Sequence, residues 1–112
     1  MSLIIKNIGL LFYFSLTLTI SHASSILIPM DENNQINHLK AYGIAYWILQ
    51  NEIEVEWLLN YRGGSFLINN YNSIQEECTI RGVSFEIISE GQVKLIRSEI
   101  NNPEVNKEII KL

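Results

Sequence analysis

Short apolar runs alternate along this chain with stretches of helical periodicity, and that alternation is the strongest constraint on its fold. The runs that suit strands are residues 24–30, 52–60 and 83–89, and the stretches that suit helices are residues 35–50, 72–82 and 90–101. No strand is predicted between residue 60 and residue 72, and a last helical turn or two is predicted after residue 102. Strands and helices in strict alternation are typical of α/β proteins, in which right-handed helical crossovers join parallel strands. We therefore predict an α/β fold with three layers and a mostly parallel sheet, Rossmann-like or flavodoxin-like.

The first predicted helix needs protein on more than one side. From Gln35 to Gln50 the chain carries few charges, and apolar residues extend nearly all round the helix, whereas a surface helix keeps a polar face. A parallel sheet of three strands also leaves its edges open and needs both faces covered. We expect the chain to be the N-terminal portion of a larger fold, or a further domain or partner chain to cover the helix Gln35 to Gln50.

The spacing of potential ligands predicts neither a metal nor a cofactor. Glu52, Glu54 and Glu56 share one face of the second predicted strand, but no histidine lies beside them, so we assign them to a solvated face. The H-E-x-x-H and C-x-x-C spacings of zinc sites do not occur in the sequence. The glycine-rich fingerprints of phosphate loops and dinucleotide-binding proteins do not occur either.

The first 23 residues have the build of a secretory signal peptide. Lys6 precedes an apolar run from Ile8 to Ile20, and the small-x-small triplet Ser21-His22-Ala23 follows. The run is about 13 residues long, shorter than the roughly 20 residues that cross a bilayer as a helix. We predict cleavage after Ala23, export to the periplasm or the extracellular space, and a mature α/β domain of residues 24–112. A retained N-terminal anchor is the less favoured alternative.

The charge of the chain argues against two classes of partner. Its formal net charge is −4, and removal of Lys6 with the leader makes the mature chain one unit more negative. Proteins that bind nucleic acids neutralise phosphates with a basic patch, and the sequence shows none. It also shows no basic segment that would adhere to a membrane. We therefore predict no nucleic-acid partner and no stable membrane anchor.

The stretch after the second predicted strand is the best candidate for a binding loop. Open parallel sheets bind ligands at the carboxyl ends of their strands, where Ser89 and Glu90 also follow the third strand. Glycine amides can face an anion without hindrance, and an arginine can clamp a carboxylate or phosphate. The competing interpretation is a structural turn whose arginine pairs with a glutamate. We predict that a small anionic or polar ligand is held by Asp31, Asn60, Arg62, Gly63, Gly64 and Ser65.

Two residues are candidates for catalysis, and each has a structural alternative. His38 lies on the first turn of the first predicted helix, where it is a candidate general base oriented by Asp31. A lone histidine is more often a surface or capping residue. Cys78 is the only cysteine, so no internal disulfide forms, and such a thiol is more often buried in the core than nucleophilic. The sequence leaves open whether the protein is an enzyme, and no catalytic residue is assigned.

Three segments of this sequence resemble the start of a family of exported bacterial proteins that carry the label asparagine synthetase B. The segments are ILIPMDENNQINHLKAYGIAYWILQ, VEWLLNYRGGSF and ECTIRGVSFEIIS, and the resemblance covers nearly all of residues 25–110. Because members of the family are several times longer, the resemblance implies that this chain is the N-terminal part of a larger exported α/β protein.

The resemblance adds an enzymatic hypothesis to the ligand-binding one. It implies an amidotransferase-like activity. An amidotransferase-like or hydrolase-like enzyme is therefore the alternative to a ligand-binding domain. Ser2 stands where glutamine-dependent asparagine synthetases have a cysteine nucleophile, so no catalytic residue is carried over. A structural or interaction domain that uses the helix Gln35 to Gln50 is the third hypothesis.

Overall fold

The computed structural model describes residues 23–102 and 108–112. The predicted signal peptide, apart from Ala23, lies outside the described residues, and so does the first half of the predicted last helical turns. Within the described ranges no helix is both long and apolar enough to span a bilayer. In chain order the elements are β1 (Ser24–Ile28), α1 (His38–Gln50), β2 (Glu56–Leu59), β3 (Ser65–Asn69), α2 (Asn72–Arg81), β4 (Glu86–Ser89), α3 (Glu90–Ile100) and β5 (Glu108–Lys111).

The strands of the described residues form one sheet in the order β4-β1-β3-β2-β5, and every neighbouring pair is antiparallel. The prediction of a mostly parallel, Rossmann-like or flavodoxin-like sheet is therefore wrong. The error lies in β3, which the sequence analysis left in a loop. Strand β3 follows β2 after a short turn, pairs with it, and inserts between β1 and β2. A short turn joins antiparallel strands, whereas parallel neighbours need a long crossover.

The connectivity of the first four strands is that of the split β-α-β, or ferredoxin-like, motif. Strands β1 and β2 run in the same direction, because each is antiparallel to the β3 strand between them. Strands β3 and β4 are related in the same way through β1. Helices α1 and α2 each connect two such strands, and α3 and β5 are additions to this core motif.

Helices cover both faces of the sheet, and each face has its own apolar core. Strand β1 contributes to both, because Ile26 and Ile28 point to one face and Leu27 to the other. Helices α1 and α2 pack on the first face through Ala41, Ile44, Ala45, Ile48, Ile74 and Cys78. Helix α3 packs on the second face through Ile96 and Ile100, against Leu27, Leu58, Leu67 and Ile88. Full burial of a side chain of isoleucine or leucine size stabilises the fold by about 1.5–3 kcal/mol.

The C-terminal end of α2 and the start of α3 follow local signals, whereas α1 and α2 start without a side-chain cap. Helix α2 ends at Gly82, which has a left-handed φ of 71° as predicted from its sequence. Helix α3 begins with a capping box, in which the Ser89 hydroxyl accepts from the Gln92 amide and the Gln92 side chain accepts from the Ser89 amide. Helix α1 begins at His38 and not at Gln35, whose buried side chain instead binds the backbone before β4.

The last described element also differs from the prediction. Residues 108–111 form β5, which pairs with β2, where the sequence analysis expected a helical turn. Ile109 and Ile110 are partly buried in this strand, whereas Glu108 and Lys111 are exposed. A run as short as this one cannot be assigned to a helix or a strand from periodicity alone.

Candidate functional site

Asp31, Arg62 and Glu86 lie together at one end of the sheet. Strands β1 and β2 run in the same direction, so the residues that follow them lie at the same end. Strand β4 runs opposite to β1, so its first residue, Glu86, lies at this end as well. The predicted proximity of Asp31 and Arg62 is therefore found, although the sheet is antiparallel.

Ser89 and Glu90 do not belong to this end of the sheet. The expectation that they do assumed parallel strands. In the antiparallel sheet Ser89 is the register partner of Ser24, the first residue of β1. Both residues therefore lie at the end opposite Asp31.

The turn between β2 and β3 is built from backbone conformations that favour glycine. Asn60, Arg62, Gly63 and Gly64 have positive φ values of 61°, 45°, 79° and 91°. A Cβ atom on Gly63 would lie 2.6 Å from the carbonyl carbon of Met30, so only glycine fits there. The Met30 amide donates to the Arg62 carbonyl at 3.1 Å. The turn is thus fastened closely to the end of β1.

The turn itself uses several of the donors that the sequence analysis assigned to a ligand. The amides of Gly64 and Ser65 both donate to the Tyr61 carbonyl at 3.0 Å. The buried Ser65 hydroxyl donates to the carbonyls of Tyr61 and Arg62, at 3.0 and 3.2 Å. Asn60 also has an interaction within the protein. These two amides and this hydroxyl are therefore engaged in holding the turn together.

The Arg62 side chain binds carboxylates of the protein. Its two terminal nitrogens donate to the two Glu86 oxygens at 3.0 and 2.7 Å, and its Nε lies 3.6 Å from Asp31 Oδ1. The other Asp31 oxygen accepts from the Asn34 side chain. The hydrogen bonds with Glu86 raise the pKa of the Arg62 guanidinium above its ordinary value. One guanidinium and two carboxylates leave this cluster with a formal charge of −1.

Glu86 was not predicted as a partner of Arg62. The chain has 12 acidic residues, and nothing in the local pattern distinguishes Glu86 from the others. The pairing depends on which strand lies beside β1, and strand order is not a local property of the sequence.

A cleft of about 250 Å³ opens beside the Arg62 and Glu86 pair, between α3 and the sheet. We call it the α3 cleft. Its lining includes the apolar side chains Leu27, Ile88 and Ile96 and the charged side chains Arg62, Glu86 and Glu99. The formal charge of these lining residues is −1, and both terminal nitrogens of Arg62 are already bound to Glu86. The α3 cleft therefore offers carboxylate acceptors above an apolar floor.

The two catalytic candidates, His38 and Cys78, make contacts within the protein. The His38 Nε2 atom lies 2.9 Å from the Met30 carbonyl oxygen; since a carbonyl only accepts, this nitrogen donates and is not available as a base. Cys78 is fully buried on α2, and burial raises the pKa of its thiol to about 11. A buried thiol that stays protonated is a poor nucleophile.

Two of the three alternating glutamates, Glu54 and Glu56, form ion pairs. Glu56 accepts two hydrogen bonds from Arg97 on α3, at 2.7 and 2.8 Å, and Glu54 pairs with Lys111 on β5. Across residues 23–102 and 108–112, no group of three or more histidine, cysteine, aspartate or glutamate side chains is placed to hold a metal ion.

The outer face of α1 is apolar and exposed. Leu39, Tyr42 and Tyr46 are 84%, 51% and 65% exposed, while Ala41, Ile44, Ala45 and Ile48 pack on the sheet. A groove of about 300 Å³ runs from Tyr42 and Tyr46 to Trp57 and Leu112. Helix α1 is therefore covered on one side by its own sheet, and a partner for its other side remains a prediction.

Comparisons of this chain with protein-family models, with curated proteins and with solved structures give no match.

Proposed function

We propose that this protein is a recognition domain that binds a small polar ligand in the α3 cleft, and that the ligand presents a cationic or hydrogen-bond-donating group. The observation that carries the proposal is the composition of the cleft, which combines carboxylates of Glu86 and Glu99 with an apolar floor. Small-ligand sites typically pair apolar walls with a few convergent polar groups. The predicted signal peptide adds that the ligand is met outside the cytoplasm.

The charge distribution favours a cation over an anion. An anion in the α3 cleft would face two carboxylates, and Arg62 would have to exchange its bidentate bond with Glu86 for the ligand. A cation needs no such exchange, because each carboxylate oxygen of Glu86 can accept a second hydrogen bond while Arg62 stays bound. Two unit charges about 4 Å apart interact with an energy of about 1 kcal/mol in water, which corresponds to about a fivefold change in Kd.

The size of the cleft limits the ligand to one small group. Ligand sites of drug-sized molecules span roughly 300–1,000 Å³, and the α3 cleft has about 250 Å³. A guanidinium or ammonium group on a short aliphatic stem matches this volume. The aliphatic stem would contact Leu27, Ile88 and Ile96, and the cationic head would lie near the carboxylates.

Isothermal titration calorimetry of the purified protein tests this proposal with agmatine as the cationic probe and succinate as the anionic one. We expect agmatine to bind and succinate not to bind. Glu99→Gln should weaken agmatine binding about fivefold, because it removes one carboxylate from the cleft. Glu108→Gln, which removes an exposed carboxylate on β5, is the matched control and should leave the affinity for agmatine unchanged.

Arg62→Ala separates a cation site from an anion site. If the cleft binds cations, this variant binds agmatine about fivefold more tightly, because a neighbouring positive charge is removed and Glu86 is released. If the arginine clamps an anion, the same variant abolishes succinate binding. Succinate binding that depends on Arg62, or no binding of either probe, would refute the cationic proposal.

A further inference from the structure

We infer that the group bound in the α3 cleft is a side chain of an extended polypeptide, which adds to the sheet as a strand along the free edge of β4. This inference rests on the proposed function, because it uses the same cleft, and it names the class of ligand. The polypeptide carries lysine or arginine alternating with apolar residues. Its chemistry follows from the edge, from the two grooves beside it and from their charge.

No strand of the described residues pairs with the outer edge of β4. Strand β4 is the last strand of the order β4-β1-β3-β2-β5, and within the described residues only β1 pairs with it. Proteins commonly guard an edge strand with charged residues, proline or a bulge. The other edge, β5, has exposed Glu108 and Lys111 at its two ends. In β4 the only charged residue is Glu86, at the first position of the strand.

A groove lies on each face of the sheet beside this edge. Glu86 and Ile88 line the α3 cleft. On the other face a groove of about 370 Å³ lies between α2 and the segment before β4, with Ile80 and Phe85 in its lining. Ile87 belongs to this second face, because it is the register partner of Ile26. We call this second groove the α2 groove.

The two grooves match the geometry of an added strand. Successive side chains of a strand point to opposite faces of the sheet, so a polypeptide paired with β4 directs alternate residues to the α3 cleft and to the α2 groove. In strand addition, main-chain hydrogen bonds supply affinity, and pockets for alternate side chains supply specificity. The exposed Ile80 and Ile87, at 76% and 45%, would be covered by the apolar residues of the added strand.

Charge determines which occupant fits. The side chains that enter the α3 cleft meet Glu86 and Glu99, so lysine or arginine is favoured there. A second copy of this chain is less suitable. Paired through β4, it would bring its own Glu86 to the face that already carries these carboxylates, and the chain has a net charge of −4. A basic and apolar extended segment of another protein is therefore the occupant.

Fluorescence anisotropy with a labelled, acetylated heptapeptide of alternating arginine and valine tests the inference. We expect this peptide to bind at least tenfold more tightly than agmatine. Ile80→Ser should weaken peptide binding at least fivefold and leave agmatine binding unchanged. Leu39→Ser is the matched control, since Leu39 on α1 is also a highly exposed apolar residue, at 84% compared with 76% for Ile80. This variant should bind the peptide like the original protein.

N-methylation of the peptide tests the backbone pairing. Only alternate residues of an added strand direct their amides to the edge, so methylation of either the arginine amides or the valine amides should abolish binding while the other set is tolerated. Equal tolerance of both sets would overturn strand addition. Hydrogen exchange of the residues of β4, Glu86–Ser89, should also slow when the unmethylated peptide binds.

The remaining outcomes separate this inference from the proposed function. If agmatine binds and the peptide binds no more tightly, the strand-addition inference is overturned while the proposed cleft site stands. If neither probe binds, both fail. If the protein self-associates at micromolar concentration and Ile80→Ser abolishes that association, the occupant is a second copy, and the inference of a basic peptide is overturned.

Discussion

Gly63→Ala should destabilise this protein far more than a glycine-to-alanine change at another position of positive φ. At Gly63 the added methyl group would lie 2.6 and 2.7 Å from the carbonyl carbon and oxygen of Met30, and 2.8 Å from the Asp31 amide nitrogen. Optimal contacts between carbon atoms are about 3.5–4.0 Å. These neighbours are backbone atoms that follow β1, so a change of side-chain rotamer cannot relieve the clash.

Gly82→Ala is the control that isolates the clash. Gly82 also has a positive φ, of 71° compared with 79° at Gly63, but a methyl group there meets no atom within 4 Å. An alanine in the left-handed region costs about 1–2 kcal/mol, and the loss of glycine entropy in the unfolded chain offsets about 0.4–1 kcal/mol of this. The control should therefore lower the free energy of unfolding by about 1 kcal/mol.

The additional cost at Gly63 has two sources. Overpacking against fixed atoms typically costs about 1–3 kcal/mol. Displacement of the turn from β1 also breaks the hydrogen bond from the Met30 amide to the Arg62 carbonyl, worth about 1 kcal/mol. With the conformational cost included, the total is about 3–5 kcal/mol, a large part of the stability of a domain of this size.

Urea unfolding followed by circular dichroism measures both variants, with the slope m checked for two-state behaviour. We expect the midpoint of Gly63→Ala to fall well below that of Gly82→Ala. Equal midpoints for the two variants would refute the reasoning, because they would show that the turn moves away from β1 without measurable cost.

Four further predictions concern the core and one ion pair. The buried Cys78 thiol, with its pKa raised to about 11, should react with Ellman's reagent only as fast as the protein unfolds; labelling of the folded protein at the rate of a free thiol would contradict this. The free energy of unfolding should also fall as the pH rises from 9 towards 11, because the thiol ionises first in the unfolded chain, and Cys78→Ala should lack this component. Gln35→Leu should lower the free energy of unfolding, measured in urea, by about 3 kcal/mol. The buried Gln35 side-chain amide makes three hydrogen bonds, to the carbonyl oxygens of Pro29 and Ser84 and from the Ser84 amide, at 2.9–3.0 Å. A loss below about 1 kcal/mol would show that these three bonds do not stabilise the fold as expected. A double-mutant cycle on Glu56 and Arg97 should give a coupling free energy of about 0.5–1 kcal/mol, because the bidentate pair is partly exposed; zero coupling would show that the pair does not hold α3 to the sheet.

Several local features could be predicted from the sequence because they depend on neighbouring residues. The end of α2 at Gly82 follows from the ability of glycine to adopt a left-handed φ. The apolar stretch of β1 indicated a buried strand, and β1 is an interior strand of the sheet with its last three residues buried. The single Cys78 was favoured as a core thiol, and it is fully buried. Periodicity and capping are properties of a few adjacent residues, so they are visible without the fold.

The direction and order of the strands could not be predicted in this way. The five residues of β3, SFLIN, follow two glycines and give no periodic signal that separates a buried strand from a loop. Once β3 was missed, the remaining elements had the alternation of a parallel α/β sheet. The same omission placed Ser89 at the wrong end of the sheet.

The sequence by itself indicated that Asp31 and Arg62 lie at the same end of the sheet, and the tertiary structure decided which other side chains surround Arg62. Asp31 and Arg62 were expected to meet because they follow strands of the same direction, and that direction holds in the antiparallel sheet. Only the tertiary structure places Glu86 beside Arg62, because β4 lies next to β1 although some 60 residues separate them in the chain. That long-range pairing binds both terminal nitrogens of the Arg62 guanidinium to a carboxylate of the protein, which is the reason that we propose a cationic ligand and not the anionic one.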